Sequence, residues 1–461
     1  MRYACLSHCW GNPAEIGRTL KENIEDHKNS VPLNALTTTF QNAVETCRFL
    51  GIKYIWIDSI CIIQNSDSQE DWVSEAARMA DIYENAYITI AATKSTASSG
   101  GCYSETPKQY IARPIPGYQN AFSRFKLPGL PTHWYDFGRQ KELPLLNWGW
   151  VYQEMRLSHR VLHFCAQEVI WDCRSGTLRQ KESESNEHPR SRSTPEHVHY
   201  NDMPYHIPSK RPDLLWYRLV SEYSNLRLTK TDEDRMAALA GIVKSIQHHH
   251  QRGKYLIGLW ENSLILDLCW ETAFNAYLES RWKSRYPSWS WASVHNQVSW
   301  DNGVNKAYVP LSTIEGINVV YDGPDNLGKA SEFSMSSITI KAPILKCKVA
   351  YASDAEGKPQ VVLTEAKGIV ARGYTPDFIM PRTRRRTGFV AVLCGKTTAV
   401  CMALHLQKRR KRGADVYERM GHVWIEQERF VGNYSSRPSL SGEGIKKFWS
   451  ILPEPSVIEL V

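Results

Sequence analysis

The chain has 461 residues, of which 42% are hydrophobic and 11% are aromatic, with 16 tryptophans. This composition excludes an intrinsically disordered protein, and the length predicts roughly two to three packed units. The formal net charge of +8 is modest, and much of it comes from two basic runs, residues 382–386 and 408–412. Such runs are either contacts for phosphate or acidic lipid or, more commonly, solvated loops. Because no recognition helix, zinc finger or RNA motif accompanies them, we expect solvated loops and no nucleic-acid partner.

The cysteines and the hydropathy pattern indicate a cytoplasmic protein. Eleven cysteines are scattered along the chain without a CxxC pair, and no signal peptide precedes them. This pattern is typical of reduced thiols. The most apolar stretch, residues 255–270, is interrupted by Glu261 and Asp267, so we expect no transmembrane segment. No cysteine or histidine group has the spacing of a structural zinc site, so we expect no metal.

Strands and amphipathic helices alternate in the first hundred residues. Residues 3–7, 53–58 and 86–92 are predicted strands. A helix of about fourteen residues before Gly51 carries one apolar stripe, and glycine is favoured just after a helix end. A second helix is predicted over 70–83, with Ser68 as its N-cap.

This alternation implies a parallel sheet flanked by helices, an α/β fold of the doubly wound kind. Ligands of such sheets bind outside the carboxyl ends of the strands. We therefore expect Ser7, Asp58 and Thr93, which stand at or just after the ends of the three strands, to lie on one edge around a common cleft.

The rest of the chain divides by composition. Residues 176–213 are polar and proline-punctuated, which indicates a linker or loop. Residues 214–300 are predicted to be mainly helical, with Thr231 as a helix cap. Alternating apolar runs over 301–461 predict a β-rich C-terminal region. The first domain is expected to span residues 1–175.

Four spaced segments carry a family resemblance: YACLSHCWG (3–11), LGIKYIWIDSICIIQ (50–64), DWVSEAARMADIYENAYITIAA (71–92) and WGWVYQEMRLSHRVLHF (148–164). Together they resemble the signature blocks of the fungal heterokaryon-incompatibility (HET) domain. The resemblance implies a cell-death effector in fungal self/non-self recognition, with an incompatibility or signalling partner protein and self-association into a homo-oligomer.

The HET domain also resembles, distantly, the Toll/interleukin-1 receptor fold. Enzymes of that fold cleave NAD at the nicotinamide–ribose bond and use a glutamate near the strand carboxyl ends. The resemblance therefore implies a sheet of that type and NAD as a substrate, with no bound cofactor. Cleavage gives the ribose oxocarbenium character, which a carboxylate can stabilise.

Glu75 is the candidate catalytic residue. At about 100° per residue, it lies roughly 60° from the apolar stripe of the second helix. A carboxylate at the margin of a core-facing stripe needs a partner or a cavity. The alternative interpretation is a structural salt bridge, to Arg78 or to an arginine elsewhere.

The candidate substrate-binding residues lie on the same edge or in the fourth segment. Asp58 could orient a ribose hydroxyl, pair with His8 or cap its own turn. Trp10 could stack on a base or be buried with its N–H satisfied. Glu154 and Arg156 either lock their segment onto the sheet or deliver a carboxylate and a phosphate ligand to the cleft. The full set is Ser7, His8, Trp10, Asp58, Ser59, Glu154 and Arg156.

Two function classes follow. In the first, the N-terminal domain hydrolyses NAD once self-association activates it. In the second, the same domain is a non-catalytic signalling and self-association module. A serine hydrolase is disfavoured because Ser7 and Ser59 have no base partner in the sequence.

Overall fold

The computed structural model divides into two compact units. The first comprises Met1–Ser209, Leu226–Lys230 and Ala237–His249, and the second Lys210–Asn225, Thr231–Met236 and His250–Val461. The structure describes residues 1–12, 14–66, 70–118, 121–125, 141–173, 176–179, 212–249, 251–273, 284–300, 308–320, 336–351, 359–378, 387–396, 399–411, 413–430 and 438–461.

The first part of the chain alternates strands and helices. Its elements are β1 (Tyr3–Ser7), α1 (Ile24–Asn29), α2 (Thr38–Phe49), β2 (Tyr54–Trp56), α3 (Asp58–Cys61), α4 (Glu70–Asn85), β3 (Ile88–Ala91), β4 (Arg113–Pro114), β5 (Phe122–Ser123), α5 (Gly149–Leu157), β6 (Arg160–Phe164), β7 (Val169–Cys173) and β8 (Gly176–Arg179). They are followed by α6 (Pro212–Tyr223), α7 (Thr231–Ala237) and α8 (Ala240–His249).

The N-terminal sheet has the strand order β2-β1-β3-β6-β7-β8. The first four strands are parallel to their neighbours, and β7 and β8 are added antiparallel. The predicted parallel sheet over residues 3–92 is confirmed. Asp58 differs from expectation in one respect, because β2 ends at Trp56 and Asp58 begins the short helix α3.

Helices cover both faces of this sheet, because side chains alternate between the faces along a strand. On one face Ala4, Leu6 and Ile90 share a core with Phe40 of α2. On the other face the Cys5 Sγ lies 3.7 Å from the carbonyl oxygen of Ile82 in α4. This second face receives α5 as well, since the hydroxyls of Thr89 and Ser158, which follows α5, are 2.6 Å apart.

The predicted helices are largely confirmed. Gly51 follows α2 with a φ of +68°, the left-handed conformation expected after a helix end. Met79 and Tyr83 of the predicted α4 stripe are buried. Ser68, its expected cap, lies outside the described residues. Leu36 precedes α2 but still packs against the N-terminal core.

Beyond residue 212 the structure departs from a mainly helical region. Thr231 begins α7 as expected, but a turn at Ala238 and Leu239 separates α7 from α8. Over 251–273 and 284–300 the chain forms turns, short strands and a one-turn helix at Leu264–Asp267. Polar groups there bind backbone partners locally; the Ser290 side chain, for example, accepts from Ala292 N. The predicted linker falls mostly outside the described residues. The sheet itself continues to Arg179, past the expected boundary at 175, and the domain limits stay a prediction.

The C-terminal unit is rich in β-structure, as expected. Ten strands of its described part form one sheet, in the order β14-β15-β22-β21-β20-β19-β16-β17, with β13 on β19 and β18 on β21. The elements are β9 (Tyr255–Leu256), β10 (Leu259–Trp260), α9 (Leu264–Asp267), β11 (Glu271–Thr272), β12 (Val298–Ser299), β13 (Tyr308–Pro310), β14 (Thr313–Asn318), β15 (Ser337–Ala342), β16 (Ile344–Tyr351), β17 (Pro359–Leu363), β18 (Ile369–Pro376), β19 (Thr387–Lys396), β20 (Val400–Lys411), β21 (Ala414–Gln427), α10 (Gly442–Phe448) and β22 (Ser456–Leu460).

The second basic run is strand and not loop over its described residues. Residues 408–411 end β20 and pair with the start of β21. Lys408 binds Asp415 at 2.5 Å and Arg409 binds Glu418 at 2.9 Å, so cross-strand acids compensate part of the charge. The run 382–386 lies outside the described residues.

None of the described helices has the length and apolar character needed to cross a bilayer.

A buried arginine ties the C-terminal sheet to the segment that covers it. Arg419 Nε donates to Asp377 Oδ2 at 2.9 Å, and its Nη atoms donate to the carbonyl oxygens of Leu268 and Trp270. The guanidinium also lies 3.3 Å from the ring centroid of Trp270. All three guanidinium nitrogens therefore donate hydrogen bonds that hold this segment on β21.

Replacing Arg419 with methionine should destabilise the protein strongly, because the Asp377 carboxylate would stay buried without its partner. We expect the free energy of unfolding of Arg419→Met to fall by about 3–5 kcal/mol. The matched control is Arg409→Met, which removes an exposed pair and should cost about 1 kcal/mol or less. Urea unfolding followed by tryptophan fluorescence measures both, and equal losses would contradict the structural role of Arg419.

Candidate functional site

The strand order places a crevice at the carboxyl end of β1. The chain leaves β1 through α2 on one face of the sheet and leaves β2 through α4 on the other face, while β3 returns beside β1. Loops at such a switch point diverge, and ligands of open α/β sheets bind between them. Ser7 ends β1, Thr93 lies just beyond β3 and Asp58 lies just beyond β2. The predicted common edge is therefore confirmed.

The Asp58 carboxylate accepts two hydrogen bonds and has His8 beside it. The Trp10 indole Nε1 donates to Oδ2 at 2.7 Å, and the Ser59 backbone N–H donates to Oδ1 at 2.7 Å. His8 Nδ1 lies 3.8 Å from Oδ1. Of the alternatives for Asp58, pairing with His8 and capping of its own turn are both present. Trp10 positions Asp58 through its N–H, and its ring stays partly exposed.

His8 is a buried, neutral imidazole. Burial lowers its pKa, and the charge of Asp58 opposes this only in part. The ring packs edge-on against Phe40, with 4.9 Å between the ring centroids. Nε2 of His8 has no hydrogen-bond partner among the described residues, and in the tautomer that carries its proton on Nδ1, toward Asp58, Nε2 presents a lone pair.

Glu154 brings a second carboxyl group to this edge from α5. Its side chain is almost fully buried, and burial raises its pKa to about 8. The Ser7 and Tyr83 hydroxyls favour the ionised form, whereas the Asp58 charge opposes it. Even so, within the described structure neither Ser7 Oγ nor Glu154 Oε2 has a hydrogen bond of normal geometry. Glu154 is therefore a protonated acid at neutral pH, with an oxygen free to accept a bond.

Tyr83 connects this carboxyl group to the sheet. Its hydroxyl donates to the carbonyl oxygen of Leu6 at 3.1 Å, and its ring meets Trp56 edge-on. Because Tyr83 belongs to the apolar stripe of α4, sequence reasoning assigned it to the core and missed its place beside Glu154. We call Ser7, His8, Trp10, Asp58, Tyr83 and Glu154 the edge cluster.

The thiols near the edge cluster are inert. Burial, together with the negative charge of Glu154, raises the pKa of Cys9 to about 12 and that of Cys5 further. A thiol is nucleophilic only as the thiolate, so neither cysteine can act as a nucleophile at neutral pH. The chemistry of the edge cluster therefore depends on its carboxylates and imidazole.

Glu75 forms a salt bridge with Arg78, which was the alternative to a catalytic role for this residue. Its Oε1 accepts from Arg78 Nη1 at 2.7 Å, one turn along α4, and 19% of the Glu75 side chain is exposed. Its charge raises the pKa of Cys61, which places the carboxylate near α3. A catalytic role of Glu75 stays a prediction.

The remaining candidates make structural contacts. The Ser59 hydroxyl donates to the carbonyl oxygen of Gly17 at 3.0 Å. Arg156 is buried, and its guanidinium lies 5.1 Å from the ring centroid of Tyr152. Their predicted roles as substrate ligands remain untested.

A buried histidine near the carboxyl ends of β3 and β6 was missed by sequence reasoning. His163 Nδ1 lies 3.0 Å from Thr93 Oγ1, and burial lowers the pKa of His163 to about 3. The spacing of the cysteines and histidines argues against zinc, but no sequence signal places His163 beside Thr93, because its burial comes from elements distant in the sequence. It is a structural residue of the sheet.

Residues 3–154 match the family model described as "Heterokaryon incompatibility protein (HET)". The chain carries a HET domain. Every residue of the edge cluster lies within the matched segment, which ends at Glu154 itself. No curated protein and no solved structure matches the chain.

The buried carboxyl group of the HET domain makes stability depend on pH. Glu154 titrates at about 8 in the folded chain instead of 4.5, so the folded state holds a proton that the unfolded state has lost. Its contribution to stability is complete below pH 4.5 and is lost as the pH rises through about 8.

Glu154→Gln should remove this dependence. We expect the free energy of unfolding of the wild type to fall relative to that of Glu154→Gln between pH 5 and 8, by at most about 1.4 kcal/mol per pH unit. Urea unfolding at a series of pH values measures the difference. Glu45→Gln, at an exposed position of α2, is the control and should run parallel to the wild type. A constant difference for Glu154→Gln would mean that its carboxyl group is solvated in the folded state.

Proposed function

We propose that this HET-domain protein acts in fungal heterokaryon incompatibility as a cell-death effector, and that it hydrolyses NAD at the nicotinamide–ribose bond in the edge cluster. The observation that carries the proposal is the pair of carboxyl groups, Asp58 and Glu154, at one strand edge in unlike surroundings. Asp58 is fully hydrogen-bonded, whereas Glu154 is buried with an oxygen free. When two carboxyl groups of one active site have such different surroundings, they take different roles in the reaction.

Glu154 is the group suited to the developing ribosyl cation. The nicotinamide ring of NAD is cationic, and a cation beside a buried carboxyl group favours its ionised form. As the bond to nicotinamide breaks, the positive charge moves to the ribose. The carboxylate then stabilises that charge in a site where water competes poorly.

His8 completes the reaction as the proton acceptor. Water adds to C1′ of the ribose, nicotinamide leaves with the bonding electron pair, and the products are nicotinamide, ADP-ribose and a proton. His8 Nε2 has the lone pair to take this proton, and Asp58 stabilises the resulting imidazolium. Asp58 is thus a positioning residue for His8. The partly exposed ring of Trp10 offers a face for the nicotinamide or the adenine.

The competing function is a non-catalytic signalling and self-association module with an incompatibility partner protein. Two observations favour it. The Glu75 carboxylate already forms a salt bridge with Arg78, and the side chains of Glu154 and His8 are both buried. In that case the edge cluster serves only to fix the loops of a binding surface.

The discriminating measurement is nicotinamide release from NAD by the purified full chain, with and without a fused oligomerisation domain. We expect Glu154→Gln to keep the fold and to lose about a hundredfold to a thousandfold in rate, because one electrostatic contact to the transition state is removed. Glu75→Gln tests the other candidate carboxylate, and exposed Glu45→Gln is the control.

The rates of nicotinamide release distinguish the two proposed functions and the two candidate carboxylates. Loss in Glu75→Gln alone would assign catalysis to Glu75 and contradict the role of Glu154. No release by any oligomerised protein would favour the signalling module. For an active wild type, we expect the rate to rise with pH up to about 8, as Glu154 ionises.

A further inference from the structure

Helix α8 belongs to the N-terminal unit although it lies far beyond the matched segment. Residues 237–249 cluster with this unit, and α8 contacts both α4 and α5. These two helices carry the acidic residues of interest, Glu75 on α4 and Glu154 on α5. A helix that touches both can control the spacing between them.

Gly241 is the point of closest approach. Its backbone N–H donates to Gln153 Oε1 at 2.7 Å. A carbon atom added at the Cβ position of Gly241 would lie 2.3 Å from Ala80 Cβ on α4 and 2.8 Å from Gln153 Oε1 on α5. Only glycine allows α8 to approach this closely. Farther along α8, Lys244 lies 3.7 Å from Asp81 of α4 and adds an exposed ion pair.

The contact lies within one helical turn of the edge cluster on both α4 and α5. Gln153 directly precedes Glu154, and Ala80 stands one helical turn before Tyr83. Gln153 is 2% exposed, so its amide oxygen accepts a hydrogen bond from the Gly241 N–H instead of from water. Any change in the position of α8 therefore acts on both groups that set the environment of the Glu154 carboxyl.

We propose that Gly241 and Gln153 are positioning residues for Glu154, and that α8 completes the catalytic edge from outside the segment that defines the family. The catalytic consequence rests on the proposed function, whereas the positioning does not. The segment after the polar stretch 176–213 is then part of the working domain. A partner that displaces α8 would switch the site by hydrating Glu154.

The environment of Glu154 gives this proposal a direct readout. Burial is the main reason for its high pKa, and the titratable groups that face it are Asp58, Tyr83, Cys5 and Cys9. Cys5 and Cys9 stay uncharged at neutral pH, and the Tyr83 pKa is raised far above 10. Cys5, Cys9 and Tyr83 therefore add no change of charge below pH 9, and comparison with Glu154→Gln isolates the titration of Glu154. Hydration of Glu154 would lower the pH at which it titrates.

The test compares full-length variants, each with and without Glu154→Gln, by urea unfolding across pH 5–9. The difference within each pair reports the titration of Glu154 in that background. We expect Gly241→Ala to lower the titration midpoint by about one pH unit or more, because α5 must move away from α8. The double variant Ala80→Gly/Gly241→Ala relieves the contact with Ala80 Cβ but keeps the one with Gln153 Oε1, so it should restore the midpoint only in part.

Gln153→Met covers the case in which Gly241→Ala does not fold. It keeps the volume but leaves the Gly241 N–H unpaired, and the same downward shift is expected. If the titration midpoint of Glu154 is unchanged in all variants, even those of lower stability, then α8 only stabilises the fold and the proposal is wrong. Nicotinamide release is measured in parallel. If the wild type releases none, the proposed function fails while the midpoints still decide the role of α8.

Discussion

The N-terminal unit is organised around a carboxyl group that is almost fully buried. Glu154 sits on a helix whose residues are buried on nearly every side, because the sheet lies against one side of α5 and both α4 and α8 contact it. Burial of an acid is tolerated only when it stays protonated or gains partners. Here it stays protonated, and the Ser7 and Tyr83 hydroxyls hold it close to ionisation. A single cation at the sheet edge is enough to change its state.

The two units resolve buried charge in opposite ways. In the C-terminal unit Arg419 and Asp377 neutralise each other, and backbone carbonyls take the remaining guanidinium protons. In the N-terminal unit Glu154 and His8 each retain an atom without a partner. This difference distinguishes a group that holds the fold from groups available for chemistry.

The sequence predicts the sheet and its edge well, because strand and helix periodicities are local. The sequence also predicts the Glu75–Arg78 salt bridge, because residues three positions apart on one helix are neighbours. The environment of Glu154 could not be predicted. Its neighbours Ser7, Asp58 and Tyr83 come from distant parts of the chain. Gln153, the residue before it, is bound by Gly241 of α8, which follows by more than eighty residues. The same holds for His163 and Arg419, since their partners are assembled by strand pairing and not by sequence proximity.

The contact between α4 and α8 has a consequence for related sequences. Only one side-chain carbon fits between positions 80 and 241 at the observed separation. During divergence a methyl group at position 241 needs glycine at position 80 and a shift of Gln153, so these positions should vary together. Such covariation would appear between a residue inside the matched segment and one outside it. It would mark which relatives carry α8 as an inherited part of the domain.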